Sequence, residues 1–331
     1  MKKHKRKIKI LFSTVLVTSL LFCFISQTVY SRSAMASLAE MYMILIDRDA
    51  IYAEGEEYEE NLALRSVENL KDCTIPSGVT MHIPYRDTHE HGMQVFYFNE
   101  EAFDGTIIIY IPGGGYVNNP LKYHWKIIDK LSSNTSAPVI MPIYLKVPNY
   151  TCEESYKAMT EFYLDVATRE GVERIIIMGD SSGGGMSLSL SQLMRDEHPE
   201  VLQPDDLILI APWMDVSMEN EQISEVEPTD PMLELYGAKD LGIRWAGDRD
   251  VHDPLVSPIY GTFENLGYIT LFVGTRDMLC PDIELFSQKL TEQNIKHTLV
   301  VKEGLDHPYP LFPIPEADEA VNMMCDIINE G

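Results

Sequence analysis

Short apolar runs alternate with longer stretches in which apolar residues recur at helical spacing. The runs 106–111 and 174–178 are rich in isoleucine and flanked by polar residues or glycine, which is typical of strands buried on both faces. Residues 152–169 show the spacing of an amphipathic helix instead. The pattern predicts strands at 92–98, 106–111, 138–144, 174–178, 206–210, 269–275 and 297–302, and helices at 152–169, 186–195, 282–293 and 316–329. This alternation predicts an α/β fold: a mostly parallel central sheet with helices on both faces.

The N-terminus has a different character. Residues 1–9 are basic, residues 10–25 are an apolar run, and Ala34-Met35-Ala36 is an Ala-x-Ala cleavage pattern. Residues 1–36 are therefore predicted to be a secretory signal peptide. An uncleaved membrane anchor is the alternative. In both cases the following domain lies outside the cytoplasm, so we expect a secreted or extracytoplasmic protein.

Residues 37–331 are predicted to form a single domain. Residues 37–75 precede the sheet and have amphipathic helical spacing, and residues 213–268 interrupt the alternation with a segment rich in Pro, Asp and Glu. Both are predicted to be helical cap or lid elements over the site.

Charge limits the partners of this domain. The whole chain has a net charge of −25, but residues 37–331 carry 19 Lys and Arg against 51 Asp and Glu, a balance of −32. Such a surface repels nucleic acid and anionic lipid. Contact with a membrane is therefore expected only through the N-terminal segment, if it is uncleaved. The five cysteines show no metal-binding spacing, and the sequence defines neither disulfides nor an oligomeric state.

The segment Gly179-Asp180-Ser181-Ser182-Gly183 carries the first candidate chemistry. It follows a predicted strand and precedes a predicted helix, which is the context of the Gly-x-Ser-x-Gly nucleophile elbow of α/β-hydrolases. Ser181 is therefore the candidate nucleophile.

A serine nucleophile needs a base and a carboxylate that orients the base. His307 follows the last predicted strand and Asp277 follows the strand before it, in the order that this fold uses. Asp215, after an earlier strand, is an alternative acid. We favour Asp277 because of the motif around it.

Backbone N–H groups must also receive the negative charge of the transition state. Pro112-Gly113-Gly114-Gly115 follows a predicted strand. We expect Gly113 and Gly114 to form the oxyanion hole together with the N–H of Ser182. Neither glycine run has a phosphate-binding pattern, and no cofactor or metal is expected.

Taken together, these motifs resemble the hormone-sensitive-lipase-like branch of the α/β-hydrolases, which includes bacterial carboxylesterases and arylacetamide-deacetylase-like enzymes. The resemblance covers roughly residues 94–331 and implies that Ser181, Asp277 and His307 form the triad. The family's histidine before the glycines is replaced here by Pro112, and its usual arginine after the tyrosine is absent from Tyr144-Leu145-Lys146-Val147-Pro148. The remaining matching segments are 179–184, 211–215, 253–258, 277–279 together with Asp282, and 306–309.

The sequence thus predicts an exported serine hydrolase that cleaves small esters through an acyl-enzyme, and the resemblance implies short acyl chains. An amidase or deacetylase acting on small amides or acetylated sugars would use the same triad. A catalytically silent binding module on the same fold is a third interpretation. Tyr116, Trp213 and Tyr309 are predicted to line the substrate pocket.

Overall fold

The central feature of the computed structural model is one eight-stranded sheet with the order β1-β2-β4-β3-β5-β6-β7-β8. The structure describes residues 18–46 and 52–330. Strands β3 to β8 run parallel, whereas β1 and β2 pair antiparallel at one edge. The strands are β1 Tyr85–Glu90, β2 Met93–Phe98, β3 Thr106–Ile111, β4 Val139–Ile143, β5 Arg174–Asp180, β6 Asp206–Ile210, β7 Tyr268–Gly274 and β8 His297–Lys302.

Ten helices surround this sheet in the described ranges. The first, α1, comprises residues 18–29. The others are α2 Ala34–Leu45, α3 Glu56–Glu68, α4 Lys122–Thr135, α5 Cys152–Ala167, α6 Ser181–Glu197, α7 Ile223–Val226, α8 Leu235–Ala246, α9 Cys280–Glu292 and α10 Pro315–Asn329. Short 3-10 turns lie at Glu100–Ala102, Glu227–Thr229, Pro258–Tyr260 and Tyr309–Leu311.

The isoleucine runs explain why the sheet is covered on both sides. Successive side chains of a strand point to opposite faces. Ile175 and Ile177 of β5 therefore pack into one core with α5, α6 and α9, whereas Ile176 and Met178 pack into a second core with α4 and α10. The expected α/β fold with helices on both faces is confirmed.

The N-terminal segment is joined to the domain by a buried charged cluster. Arg32 forms an ion pair with Glu40, which also pairs with Arg276. Asp306 lies 3.7 Å from the Arg32 Nη1 atom and 3.3 Å from the Arg276 Nε atom. Ser33 caps α2 and donates both its N–H and its hydroxyl to Glu316 of α10, at 2.6 and 2.9 Å. The predicted boundary between residues 36 and 37 consequently falls inside α2 rather than between domains.

This cluster makes Arg32 a stability determinant. We expect Arg32→Met to lower the free energy of unfolding by about 3–5 kcal/mol, because it removes one of the two cations that the buried carboxylates of Glu40 and Asp306 share and leaves only Arg276 to balance both. The matched control is Arg86→Met, which removes an exposed two-bond pair with Glu100 and should cost less than about 1 kcal/mol. Urea titration monitored by tryptophan fluorescence measures both. Equal midpoints for the two variants would contradict this view of the cluster.

Within residues 18–46 and 52–330, no helix is both long enough and apolar enough to cross a bilayer.

Candidate active site

Ser181 lies on a strained turn between β5 and α6. Its φ angle is +52°, in the left-handed region that residues with a side chain rarely adopt. The flanking glycines make this turn possible. A Cβ atom at Gly183 would lie 2.1 Å from the carbonyl oxygen of Ile111, and one at Gly179 would lie 2.4 Å from that of Gly183. The turn therefore depends on glycine at both positions.

His307 and Asp277 are brought together from the loops that follow β8 and β7. The Nδ1 atom of His307 lies 2.8 Å from Oδ2 of Asp277, and both side chains are buried. A carboxylate only accepts hydrogen bonds, so Nδ1 carries the proton and Nε2 is left as the acceptor. Burial alone would lower the pKa of His307, but the charge of Asp277 and the hydrogen bond to it outweigh burial and raise that pKa above its ordinary 6.5.

Ser181 and His307 line the same cavity, whose volume is about 840 Å³. Ser181 is only 8% exposed, and its accessible surface faces this cavity together with Gly114 and Gly115. The arrangement places a hydroxyl, an imidazole and bare backbone around one concave space. Such a space can hold a small molecule out of bulk water.

Asp215, the alternative acid, has other partners. Its Oδ2 atom accepts from the Tyr260 hydroxyl at 2.6 Å, and its Oδ1 atom accepts from the N–H of Ser217 at 2.8 Å. The Ser257 hydroxyl lies 3.3 Å from the same Oδ1 atom. Asp215 thus organises the start of the lid segment, and both of its carboxylate oxygens accept hydrogen bonds there.

Asp180, which precedes the serine, holds the glycine loop against the elbow. Its carboxylate accepts from the Tyr110 hydroxyl at 2.8 Å and from the Gly113 N–H at 3.1 Å, and lies 3.1 Å from Nε2 of His124. The His124 Nδ1 atom accepts from the N–H of Leu121 at 2.8 Å, so the imidazole donates to Asp180 through Nε2. Burial alone would raise the pKa of Asp180, but His124 and the other two donors hold it below its ordinary 3.8. This network braces the loop in a chain that has Pro112 in place of the family's histidine.

The prediction that Gly113 contributes to the oxyanion hole is wrong, because its N–H is directed at Asp180. In the described part of the chain, the N–H groups of Gly114 and Gly115 donate to no protein acceptor. Both residues line the cavity, with φ angles of +137° and +62° that suit glycine. The N–H of Ser182 lies in the first turn of α6, where no helical acceptor exists. Gly114, Gly115 and Ser182 are therefore the available donors, and sequence reasoning missed Gly115.

Asp230, in the lid segment, is a second buried carboxylate that sequence reasoning missed. Its Oδ1 atom accepts from the N–H groups of Met232 and Leu233, and its Oδ2 atom accepts from the Met278 N–H at 2.9 Å. Burial first, and then the charge of Asp277, raise the pKa of Asp230 to about 7. The carboxylate joins the lid to the loop that carries Asp277.

The cavity wall comes from both predicted cap segments. Helix α2 supplies one side and the segment around α8 supplies another. Trp213 lines the cavity as predicted. The predictions for Tyr116 and Tyr309 are wrong, since neither lines the cavity. Tyr116 instead stacks on Trp245 with ring centroids 4.1 Å apart. The residues of α2 and of the lid segment that line the cavity include Met35, Leu38, Tyr42, Met232, Leu233 and Leu241.

Residues 108–311 match a family model described as the alpha/beta hydrolase fold, and the chain belongs to this family. It resembles an esterase from Acinetobacter venetianus strain RAG-1, with 27% identity over 266 residues that cover 78% of this chain and 86% of the relative. The crystal structure of "a putative esterase from Staphylococcus aureus" superposes with a TM-score of 0.80 at 28% identity, covering 86% of this chain and 96% of that one. An esterase from the bacterial hormone-sensitive lipase family shares the fold, with a TM-score of 0.74, 18% identity and coverage of 88% and 97%.

These similarities also give the narrower class. The chain is a carboxylesterase-type hydrolase.

Proposed function

We propose that this protein is an exported serine esterase that hydrolyses carboxylic esters with short acyl chains, using Ser181 as nucleophile, His307 as general base and Asp277 as the residue that orients the base. The observation that carries the proposal is the 2.8 Å hydrogen bond between His307 and Asp277, at a cavity that Ser181 also lines. Nε2 of His307 is then the free acceptor for the Ser181 proton.

The reaction follows from these positions. Ser181 attacks the acyl carbon while its proton passes to Nε2 of His307. The tetrahedral intermediate collapses when His307 returns that proton to the leaving alcohol, and an acyl-enzyme remains. Water then gives a proton to His307 and attacks the acyl carbon, and a second collapse releases the carboxylic acid and restores the Ser181 hydroxyl.

The developing negative charge needs donors that are already in place. Gly114, Gly115 and Ser182 supply unpaired backbone N–H groups beside the nucleophile. One such donor is typically worth about 3 kcal/mol of barrier. The bonds of Asp180 to Gly113 and His124 support this role, because they fix the loop from which the donors project.

The wall of the cavity and the resemblance both indicate the substrate class. Apolar side chains of α2 and the lid face the serine, which fits esters with apolar acyl and alcohol groups. The resemblance to hormone-sensitive-lipase-like carboxylesterases favours short acyl chains. The basic and apolar N-terminal sequence supports export.

Hydrolysis of p-nitrophenyl esters by the full chain tests the proposal. We expect turnover of the acetate and butyrate, slower turnover of the laurate, and little cleavage of the matched p-nitroanilides. An enzyme that prefers the anilides would be an amidase. A chain inert toward all of them would be a binding module.

The pH dependence of turnover provides a further prediction. His307 acts as a base only when it is neutral, so kcat/KM should rise with pH through an apparent pKa above 6.5. Asp277→Asn removes the charge that raises this pKa and should therefore move the acid limb to lower pH. Initial rates between about pH 5 and pH 9 measure both profiles. An acid limb in Asp277→Asn that stays at the wild-type pH, or moves upward, would contradict the pairing of these side chains.

A further inference from the structure

The residues around the predicted cleavage site are built into the fold. Ala36 lies inside α2 and is 2% exposed. Upstream of it, Nη1 of Arg32 donates to the carbonyl of Gly304 at 2.9 Å. The Tyr30 carbonyl packs so closely on Gly304 that a Cβ atom there would lie 1.9 Å away. Gly304 belongs to the loop that carries His307, so cleavage after Ala36 would remove supports of that loop.

The outer surface of the same segment is strongly apolar. Phe24 of α1 is 64% exposed and Leu45 of α2 is 82% exposed. Exposed apolar side chains in this number indicate a surface that meets another apolar phase. Other large apolar side chains exposed on these two helices are Leu20, Leu21, Val29, Met41 and Ile44.

We infer that the mature enzyme keeps its N-terminal segment, and that the exposed apolar face of α1 and α2 is a membrane-docking surface at the mouth of the substrate cavity. The occupant of this surface is a lipid bilayer of low anionic content. The apolar run 10–25 includes the residues of α1 up to Ile25, and the basic residues of 1–9 precede this run, which is the composition of a membrane-inserting segment.

Charge argues against a second copy of the chain as the occupant. Residues 37–331 carry a net charge of −32. Bringing two such domains together through this face would oppose like charges. A zwitterionic bilayer carries no net charge to repel the domain.

The docking surface is continuous with the active site. Met35, Leu38 and Tyr42 are each about half exposed, and each also lines the cavity that contains Ser181 and His307. An ester dissolved in the bilayer could therefore reach the serine without crossing water. This inference rests on the proposed esterase function and narrows its substrates to esters of lipophilic alcohols that partition into membranes.

Fluorescence quenching tests the docking. The Leu45→Trp variant of the full chain is mixed with vesicles of phosphatidylcholine or of brominated phosphatidylcholine. The matched control is Tyr268→Trp, an exposed position at the amino end of β7, opposite the edge of the sheet where His307 and Asp277 follow their strands. We expect bromine to quench Leu45→Trp strongly and to leave Tyr268→Trp at the wild-type level set by the three native tryptophans. Equal quenching of the two variants would overturn the inference, as would dimerisation through this face with no quenching.

Substrate delivery is tested with two butyrate esters. The triple variant Met41→Ser, Ile44→Ser, Leu45→Ser alters exposed residues that do not line the cavity. We expect it to hydrolyse p-nitrophenyl butyrate in buffer like the wild type, and to release butyrate from hexadecyl butyrate in phosphatidylcholine vesicles at least about tenfold more slowly. Unchanged release from vesicles would overturn the inference. If the wild type shows no Ser181-dependent hydrolysis of either ester, the proposed function itself is refuted.

Retention of the segment is tested by mass spectrometry of the chain purified from an exporting host. We expect the mature chain to begin at a residue that precedes Ser26. A mature chain beginning at Ser37 would overturn the inference.

Discussion

Ser181→Ala should lower kcat for p-nitrophenyl butyrate by about 10⁵-fold while leaving the fold intact. The substitution removes the only atom that forms the acyl bond, and loss of a triad nucleophile typically has effects of this size. Alanine and serine share the Cβ atom, so the strained φ angle of +52° at this position is no worse in the variant. Initial-rate kinetics with a thermal unfolding scan of the same preparation measure both quantities.

Ser182→Ala is the matched control for this prediction. It changes the neighbouring hydroxyl, which lies 3.4 Å from the Tyr144 hydroxyl, and keeps the backbone N–H assigned to the oxyanion hole. We expect less than about a tenfold effect on kcat. Retention of full activity in Ser181→Ala, or an equal loss in both variants, would remove Ser181 from the proposed role.

Asp277→Asn should lower kcat by about 10⁴-fold, because an amide does not hold the His307 tautomer whose Nε2 atom accepts the serine proton. Asp215→Asn is the matched substitution at the other candidate acid. The Asp215 carboxylate accepts hydrogen bonds from Tyr260 and Ser217 and none from His307. We therefore expect Asp215→Asn to lower kcat by less than about tenfold, and to lower the free energy of unfolding because it disrupts those bonds. Collapse of turnover in Asp215→Asn with an active Asp277→Asn would reverse the assignment.

The parallel core of the fold could be predicted because its strands are short apolar runs. β6 and β8 have the predicted ends, and β5 extends only to Asp180 beyond its prediction. The edge strand β1 was missed, because its residues are polar and exposed and carry no apolar alternation.

Helix α4 was missed for a different reason. Its second half contains Ser132, Ser133, Asn134 and Thr135, which are weak helix formers. Its N-cap is Leu121 rather than Ser, Thr, Asp or Asn, and the missing side-chain cap is replaced by His124, which accepts the Leu121 N–H. The signal of a helix start was therefore absent from the sequence, and with it the position of His124 beside Asp180.

Only the residues of the candidate site that belong to sequence motifs could be predicted. The Gly-x-Ser-x-Gly spacing and strand order indicate Ser181, Asp277 and His307, because each lies at a fixed place relative to a strand. Which glycine N–H faces the cavity depends on φ angles and on the Asp180 carboxylate, neither of which a glycine run reveals. Asp230 was missed because its link to the Asp277 loop spans 48 positions of sequence.

The N-terminal boundary shows where a local pattern and the tertiary structure disagree. Ala34-Met35-Ala36 has the composition of a cleavage site, but these residues form the first turn of α2. The contacts of Arg32 with Gly304 and Asp306, and of Ser33 with Glu316, join this segment to the last part of the chain, so no local window of sequence reveals that it is anchored.

Covalent trapping tests the central claim most directly. The full chain is treated with diethyl p-nitrophenyl phosphate, which phosphorylates an activated serine, and the modified peptide is identified by mass spectrometry. We expect one diethylphosphoryl group per chain on Ser181, loss of esterase activity in proportion to labelling, and no labelling of the His307→Ala variant. Labelling at another residue, or full activity in a chain stoichiometrically labelled on Ser181, would contradict the proposed mechanism.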